Sequence, residues 1–327
     1  MIKNMWYAVL DSSTVKKKPV GVKRLGMNLV FFRDRKGALS CVEDLCAHRG
    51  AALSGGCMNE NHIRCPFHGI EYDQSGKCVF IPSEGKSSTE DFSRFQLQSF
   101  PVREIGGIVF LWYGSRAPEG EPDIFPILND SRFSYSHLED VWAVHYSRVI
   151  ENQLDVSHLA FVHHNTIGRG NKTLSNGPKV VWIDENTFQT SANNEVDTGQ
   201  RPKSAEESEI KVTNLNFKYP NLWLNHINDK LCILAFFVPV DDDHTVLCVR
   251  FYDRFTGFRP LNHFIAWIGK FANKIVERQD KRVVETQRPK KSVLRMQEKL
   301  VAADLPIIEY RVRRDALLNP APKVPPQ

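Results

Sequence analysis

Two short pairs of cysteine and histidine constrain this chain more than any other feature of its sequence. Cys46 and His48 are separated by one residue; after an interval of sixteen residues, Cys65 and His68 are separated by two. Each pair offers one thiolate and one imidazole from a short loop, so the two loops can close around a metal centre. Neighbouring glycines and a proline let backbone N–H groups approach the ligand atoms. The first part of the chain is therefore predicted to fold around a metal site.

The alternation of residue types within the pairs favours an iron–sulfur cluster. In a Rieske [2Fe-2S] cluster two thiolates bind one iron and two imidazoles bind the other, so each loop sends one ligand to each iron. Zinc is the alternative, although zinc fingers group cysteine with cysteine and histidine with histidine. We predict that Cys46, His48, Cys65 and His68 bind a [2Fe-2S] cluster and that His62, between the pairs, is a loop residue.

Length and composition limit the class of protein. A chain of 327 residues is expected to form two domains. Its net charge of +5 is spread among interleaved acids and bases, so no nucleic-acid partner is expected. The N-terminal segment lacks the apolar core of a signal peptide, and the longest apolar runs are too short to span a bilayer. We expect a cytoplasmic protein without a membrane partner, whose seven cysteines form no disulfide framework.

The pattern of strands and helices predicts an α+β chain with two domains. Short β-rich runs broken by glycines fill residues 1–118, and a Pro-, Glu- and Gly-rich stretch at 115–126 is typical of a linker. We therefore predict an all-β domain at 1–118 and a second domain at 119–327. In the second domain we predict strands within 211–219, 231–238 and 245–252, helices over 147–161 and 261–300, and an extended Pro-rich end at 319–327.

A second group of candidate metal ligands lies in this later domain. On the predicted helix, Asp155 and His158 are one turn apart and face the same way, and His163 follows five residues later. Two imidazoles and one carboxylate on one face of iron form the facial triad of non-haem Fe(II) oxygenases, which leaves open positions for O2 and substrate. We predict His158 and His163 as iron ligands.

The third ligand is sought in the long C-terminal helical pattern. Apolar residues at three-four spacing predict a buried stripe: Ile265, Ile268, Ala272, Ile275, Val276, Val283 and Val284. Asp280 falls within this stripe, with Glu277 and Glu285 to its sides. A buried carboxylate needs a compensating partner, and a metal provides one. We predict Asp280 as the carboxylate ligand; a salt bridge to a buried arginine is the alternative.

Together these residues resemble the Rieske non-haem iron oxygenases, in particular the short-chain branch that includes vanillate demethylase and dicamba monooxygenase. The resemblance covers nearly the whole chain. The motifs that carry it are Asn4-x-Trp6-Tyr7, Glu43-Asp44-x-Cys46-x-His48-Arg49-Gly50, Asn152-x-x-Asp155-x-x-His158-x-x-x-x-His163 and Gln279-Asp280 with Glu285-x-Gln287. It implies a catalytic domain of the helix-grip (START-like) type that holds mononuclear Fe(II), with Asn152 and Asp155 as catalytic residues.

The resemblance also implies an assembly. Family members of this length form head-to-tail homotrimers, because the two metal centres of one chain are too far apart for efficient electron transfer. The cluster of one subunit then lies beside the iron of its neighbour, and Asp155 would bridge His68 across the interface to His158. Electrons would come from a separate NAD(P)H-dependent reductase or ferredoxin.

The expected activity is hydroxylation or oxidative demethylation of a small aromatic or heterocyclic substrate with O2. Cis-dihydroxylation of an arene is one alternative, and a Rieske electron carrier or a zinc-binding module without oxygenase activity are others. Candidate pocket residues, chosen by region alone, are Arg201, Phe217, Trp223, Asn225 and His226. A basic pocket residue would favour a carboxylated aromatic substrate.

Overall fold

The computed structural model describes residues 1–256 and 258–320. Their internal contacts divide the chain into two compact units. One is Asn4–Asp123, and the other begins at Ile124 and takes in Met1–Lys3. The division lies within the predicted linker; the domain boundary after residue 118 stays a prediction. Most of the predicted extended segment at 319–327 lies outside the described residues.

The first unit consists of short antiparallel strands. They are β1 (Met5–Asp11), β2 (Val20–Arg24), β3 (Met27–Arg33), β4 (Leu39–Glu43), β5 (Cys57–Asn59), β6 (His62–Arg64), β7 (Glu71–Tyr72), β8 (Cys78–Phe80), β9 (Val102–Ile105) and β10 (Ile108–Tyr113). They form sheets of order β1-β10-β9, β2-β3-β4 and β5-β6-β7-β8. One hydrophobic cluster that includes Phe32, Ile63 and Tyr72 also contains Cys46 and Cys65, so the predicted ligand loops are anchored in this core.

The second unit is a large antiparallel sheet with helices packed against it. Its strands are β11 (Ser134–Trp142), β12 (Leu174–Asn176), β13 (Val180–Asp184), β14 (Thr187–Ser191), β15 (Asn193–Glu195), β16 (Asn214–Lys218), β17 (Leu222–Asn228), β18 (Leu231–Pro239) and β19 (Thr245–Asp253). Seven of them form a sheet of order β11-β19-β18-β17-β16-β14-β13, and β12 pairs with β15. The helices are α1 (Tyr146–Leu154), α2 (Leu159–Val162), α3 (Arg259–Val284) and α4 (Leu305–Leu318).

The predicted α+β class is confirmed. β18 is rich in β-branched and aromatic residues and is almost wholly buried, as a central strand should be. α3 packs against β11 and β19, which is the arrangement expected of a helix-grip domain. The three strands predicted in the second domain are present as β16, β18 and β19.

The predicted helix over residues 261–300 is too long. α3 starts with Pro260 in its first turn, where proline is tolerated, and ends at Val284. Pro289 lacks a backbone N–H and cannot continue a helix. From there the described chain has no α-helix or strand until α4 begins at Leu305, with Pro306 in its first turn; a short 3-10 helix, Ala302–Asp304, directly precedes α4.

Among the described residues, none of the helices is both long and apolar enough to cross a membrane. All seven cysteines lie in the described part of the chain and are free thiols.

Candidate metal centres

The two cysteine–histidine pairs lie in loops that share one backbone design. The first loop follows β4 and the second connects β6 to β7. In each, the cysteine N–H donates to a carbonyl five residues later, and the cysteine carbonyl accepts from a glycine four residues later. Written donor first, these bonds are Cys46–Ala51 and Gly50–Cys46 at 2.9 Å, Cys65–Ile70 at 2.8 Å and Gly69–Cys65 at 3.1 Å. Both glycines have a φ of 73°, a left-handed conformation that strains other residues.

The cysteine and histidine side chains differ in exposure. Cys46 and Cys65 are each 2% exposed, whereas His48 and His68 are exposed and their ring centroids are 4.6 Å apart. Burial raises the pKa of the Cys65 thiol, and the adjacent Cys46 raises it further. Two neighbouring buried thiolates are stable when a metal neutralises their charge. The donor set therefore fits a cluster with thiolates on the inside and imidazoles at the surface.

Tyr72 is a contact to this site that the sequence analysis missed. Its hydroxyl lies 3.2 Å from Cys46 Sγ. Burial raises the pKa of Tyr72, with Cys46 as a further cause, so the phenol keeps its proton and donates once the thiol becomes a thiolate. No short spacing rule links residue 72 to residue 46, because the contact depends on how β7 packs beneath the first loop.

Asp155, His158 and His163 lie on a broken helix, so the prediction of one helix over 147–161 is wrong. α1 ends at Leu154, Asp155 is its C-cap in an extended conformation, and α2 begins after His158. The Asp155 carboxylate accepts hydrogen bonds from the N–H (2.7 Å) and the hydroxyl (2.6 Å) of Ser157, which compete with helical hydrogen bonding. Asp155 and His158 nevertheless stay close, with Oδ2 3.5 Å from Nδ1.

The structure brings His158, His163 and Asp280 together. One ligand atom from each residue lies within 4.8 Å of the others. Asp280 Oδ1 is 2.9 Å from His163 Nε2 and 3.4 Å from His158 Nε2, yet it is buried without a hydrogen bond of acceptable geometry. A buried carboxylate oxygen that faces two ring nitrogens in this way fits a shared metal ion. The alternative of an arginine salt bridge does not match these contacts.

Charge coupling within this group is strong. Burial by itself would lower the pKa of His158, but the close carboxylates of Asp155 and Asp280 outweigh it and raise that pKa to about 9. Burial would likewise raise the pKa of Asp280, but the two imidazoles outweigh it and lower that pKa to about 2. A cation is therefore favoured among these side chains, whether it is a proton or a metal ion.

His163 is oriented by a network of side-chain hydrogen bonds that is centred on Gln279 of α3. Its Nδ1 lies 2.9 Å from Gln279 Oε1, and that oxygen also accepts from the Thr166 hydroxyl at 2.8 Å. The Gln279 amide nitrogen donates to Asn165 Oδ1 at 2.7 Å, which fixes the amide orientation. A proton on His163 Nδ1 leaves Nε2 free to bind a metal.

The buried face of α3 differs from the predicted stripe. Ile268 and Ile275 are 49% and 54% exposed, whereas Glu277 and Asp280 are 6% and 4% exposed. Val284 is buried and Val276 is half-buried, as the stripe predicts. Because the inner side of α3 faces the sheet and the metal-ligand group, polar residues lie there as well, so apolar spacing alone misplaced part of the buried face. Asp280 is buried as predicted, but Glu277 is buried with it rather than lying to its side.

A cavity of about 210 Å³ adjoins the three candidate ligands. Its walls are mainly aliphatic side chains of the sheet and of α3: Leu215, Ile233, Ala235, Leu247, Val249 and Val276. Asn152 and Asp155 also line it, and Asn152 Nδ2 is buried without a partner among the described residues. This wall composition is typical of a small-molecule site.

Two of the five candidate pocket residues line the cavity. Trp223 and Asn225 do so. Arg201 instead forms an exposed ion pair with Glu207, and the ring of Phe217 packs on Tyr310. The fifth candidate, His226, faces away from the cavity and contacts the Val212 carbonyl at 2.8 Å. Region alone could not separate these residues. His226 faces the opposite side of β17 from Asn225 because side chains alternate along a strand, whereas Phe217 shares the face of its cross-strand partner Trp223 but packs on Tyr310.

Two family models match the chain. The model described as "Rieske [2Fe-2S] domain" matches residues 5–101, and the one described as "Vanillate O-demethylase oxygenase C-terminal domain" matches residues 142–319, more than half of the chain. Chlorophyllide a oxygenase from Oryza sativa subsp. japonica is 34% identical over 52% of this chain and 30% of its own length. The oxygenase component of dicamba O-demethylase from Stenotrophomonas maltophilia is 30% identical over 50% of this chain and 48% of its own length.

The chain thus matches less than half the length of these two relatives. Over nearly its whole length it resembles the solved structure of NdmA from Pseudomonas putida CBB5, with a TM-score of 0.75, 22% identity and coverage of 99% of this chain and 97% of that one. The N-terminal match is a [2Fe-2S] domain, and the catalytic domains of Rieske oxygenases bind mononuclear iron. From both family matches, the chain belongs to the Rieske oxygenases whose catalytic domain is of the vanillate O-demethylase type.

Proposed function

We propose that this chain is the oxygenase component of a system that uses O2 and reductase-supplied electrons to hydroxylate or oxidatively demethylate a small substrate. The observation that carries the proposal is the convergence of His158, His163 and Asp280 beside a largely apolar cavity. An electron carrier needs the cluster domain alone and has no use for such a group. Bound by these three side chains, iron supplies the activation of O2.

In this proposal Cys46 and Cys65 bind the inner iron of the cluster, and His48 and His68 bind the outer one. Both imidazoles are exposed, whereas both cysteine side chains are buried in the core, and this supports electron transfer through the exposed side of the cluster, the histidine edge formed by His48 and His68. Exposed Leu45 and Phe67 flank this edge, and apolar side chains of this kind suit contact with a redox partner. The partner would be an NAD(P)H-dependent reductase or a ferredoxin.

At the second centre the chain positions ligands and excludes water. Gln279 holds the His163 ring, Asp155 lies beside His158, and the aliphatic wall keeps the reacting carbon away from solvent. One atom of O2 would enter a substrate C–H bond and the other would leave as water, with two electrons from the reductase and two protons from solvent. If that carbon is an O- or N-methyl, the hydroxylated product releases formaldehyde.

The substrate class proposed from the relatives is aromatic or heterocyclic, after vanillate, dicamba and caffeine in the names of similar proteins. We further propose a homotrimer in which Asp155 links the His68 of a neighbour to His158, and in which Asn152 supports this contact. A cytoplasmic location remains a prediction.

Iron content and O2 uptake test the proposal. The purified protein should hold about three iron atoms per chain, against about two for a cluster-only electron carrier. A colourless protein that contains zinc would contradict the proposal at once. A panel of methoxy- and N-methyl compounds, with a surrogate reductase, should give substrate-dependent O2 uptake and formaldehyde.

Isotope labelling separates the two possible oxygenations. With labelled O2, hydroxylation places one labelled atom in the product, and cis-dihydroxylation of an arene places two. Two labelled atoms in a single product would replace the demethylase proposal by a dioxygenase.

A further inference from the structure

We infer that the substrate is a small neutral molecule whose polar edge is bound by Trp223 and Asn225, and that the cavity disfavours carboxylated substrates because neither lysine nor arginine lies among the described residues of its wall. The inference rests on the proposed function to the extent that the cavity is taken as the substrate site. It departs from the transfer of carboxylated substrates such as vanillate and dicamba, and in charge it agrees with caffeine in the NdmA structure.

Trp223 and Asn225 each have a buried polar atom without a hydrogen-bond partner among the described residues. Trp223 is 5% exposed, and its Nε1 has no hydrogen-bond partner among the described residues. Asn225 Oδ1 is buried in the same condition. Leaving such groups unpaired in a buried site is unfavourable, so a ligand that pairs them gains affinity. Both residues line the cavity, so a bound molecule can reach them.

Strand geometry sets these two groups side by side. Trp223 and Asn225 are two residues apart on β17 and therefore face the same side of the sheet. Across the adjoining strand they pair with Ala235 and Ile233, and the small alanine leaves room above the indole. An indole N–H donates only, whereas the asparagine amide both donates and accepts. A ligand edge with an acceptor beside a donor, such as a carboxamide, a lactam or a hydroxyl group, satisfies both.

The charge of the cavity argues against an anion. Its acidic lining groups are Asp155, Glu277 and Asp280, and neither lysine nor arginine occurs among the described residues that line it. Removing a carboxylate from water without a cation is costly. Iron would offset the charge of Asp280, but a carboxylate drawn to the iron would take a coordination position that O2 needs. Glu277 accepts a hydrogen bond from the Trp142 indole at 3.3 Å, and burial raises its pKa to about 7, so it adds repulsion of an anion only above that pH.

Buried cations do occur on the same strands, but on the opposite face. Arg250 follows the lining residue Val249 on β19, and its guanidinium lies over the ring of Tyr135 at 4.4 Å. Lys218 at the end of β16 lies over the ring of Phe125 at 5.7 Å. The alternation of strand side chains keeps both out of the cavity. The basic pocket residue that would favour a carboxylated aromatic is therefore absent from the described lining.

Matched neutral and anionic probes test the inference by binding alone. Isothermal titration of the iron-loaded protein, under argon and without reductase, would compare 4-methoxybenzamide with 4-methoxybenzoate and a few further amide and acid pairs. We expect the best amide to bind about tenfold or more tightly than its acid. Trp223→Phe keeps the ring but removes the donor, and should weaken amide binding roughly 5- to 30-fold.

Two further variants complete the design. Trp182→Phe is the matched control, because the Trp182 indole donates to Glu309 Oε2 at 2.9 Å outside the cavity, and it should leave amide affinity unchanged. With all titrations run at pH 8, where Glu277 is ionised, Glu277→Gln keeps the size of the side chain but removes the charge, and should narrow the ratio of amide to acid affinity. If Trp223→Phe does not fold, Asn225→Leu replaces it with the same expected loss.

Each outcome has a defined meaning. Acids that bind as tightly as amides, amides that all fail to bind, or an unchanged amide affinity in Trp223→Phe would overturn the inference. Oxygen uptake with carboxylates but not with amides would overturn it while supporting the proposed function. Amide binding with the expected variant effects, but no O2 uptake with any compound, would support the inference while overturning the proposed function.

Discussion

Tyr72 lies in the hydrophobic core beneath the cluster loops, with its hydroxyl 3.2 Å from Cys46 Sγ. A hydrogen bond to a ligand sulfur stabilises the added negative charge of the reduced cluster more than the oxidised form. Tyr72→Phe should therefore lower the reduction potential by roughly 50 mV, equivalent to about 1 kcal/mol for a one-electron couple. Spectroelectrochemical titration of the purified protein measures this shift.

Tyr113→Phe provides the comparison for that measurement. Tyr113 belongs to the same unit and packs edge-on against Tyr7, with ring centroids 6.0 Å apart. Among the described residues its hydroxyl contacts none of the predicted cluster ligands, so its loss should leave the reduction potential unchanged. Equal potentials for Tyr72→Phe and the unmodified protein would show that this hydroxyl does not tune the cluster.

Glu277 gives a prediction about pH. Burial, and secondarily the charge of Asp140, raise its pKa from 4.5 to about 7 in the metal-free protein. The folded state then binds more protons than the unfolded state between these values, so this group makes the protein less stable as pH rises from about 4 to about 7. Glu277→Gln should add little stability at pH 4 but roughly 3 kcal/mol at pH 8.

Urea unfolding of metal-free protein across that pH range checks this expectation. The sign is the sensitive part of the test. If the gain from Glu277→Gln stays the same at pH 4 and pH 8, the carboxyl of Glu277 does not titrate in the predicted range.

The candidate site was predictable where its chemistry is local in sequence. The spacing within the pairs Cys46–His48 and Cys65–His68 by itself predicts a cluster site. The spacing of His158 and His163 predicts an iron site almost as directly. Asp280 required a further argument about burial. Trp223 was a candidate by region only. Tyr72 had no local signal, because its place at the site follows from the packing of segments that are distant in sequence.

At the scale of the elements, composition predicted the strands better than the helix ends. The stretches around β18 and β19 are rich in residues that favour strands. The predicted helix over 147–161 failed because Asp155 bonds the backbone and hydroxyl of Ser157 instead of continuing α1. The Asp155 side chain thus competes with the helical backbone for local hydrogen bonds, and the spacing of apolar residues carries no information about that competition.

α1 is held in place by a buried ion-pair network, which gives a prediction for the element as a whole. Glu151, 4% exposed, accepts from Arg311 at 2.8 and 2.9 Å and from Arg148 at 3.1 Å. Glu151→Ala leaves the guanidinium groups of Arg148 and Arg311 with the partly exposed Glu298 as their remaining carboxylate, at 2.7 Å from each, and should lower the free energy of unfolding by about 3 kcal/mol. Because α1 leads into Asp155 and His158, iron retention should fall as well.

The exposed pair between Arg201 and Glu207 is the control for this network. Their side chains are 73% and 42% exposed. Glu207→Ala should therefore change stability by less than about 1 kcal/mol and leave the iron content unaltered. Similar losses in stability for both variants would mean that burial does not set the strength of the Glu151 network.

At the scale of the whole molecule, the proposed trimer makes Asp155 an electron route. Asp155→Asn keeps the size of the side chain and its ability to accept from Ser157, but removes the charge beside His158. Both metal centres should remain loaded, while turnover falls roughly 100-fold. Iron analysis and rapid-kinetic reoxidation of the reduced cluster, with substrate and O2 present, separate this result from simple loss of iron. Near-normal turnover would exclude the bridging role.

Assembly is the property that is hardest to predict from sequence patterns, because the complementarity between copies of the chain is spread over two surfaces. Mixed trimers test it directly. His68→Ala should lose the cluster and keep the iron, whereas His158→Ala should lose the iron and keep the cluster, and each alone should be inactive. The two chains would carry different tags, be expressed together and be purified for both tags.

In every mixed head-to-tail ring, one of the three interfaces joins an intact cluster to an intact iron. The purified mixture should therefore recover about one third of the activity of the unmodified trimer. Electrons confined to a single chain would give none, because neither chain holds both centres. The two variants purified separately and combined without subunit exchange should stay inactive, which isolates the effect of assembly. Recovery in the co-expressed sample alone would thus place the electron path between subunits and make the trimer the catalytic unit.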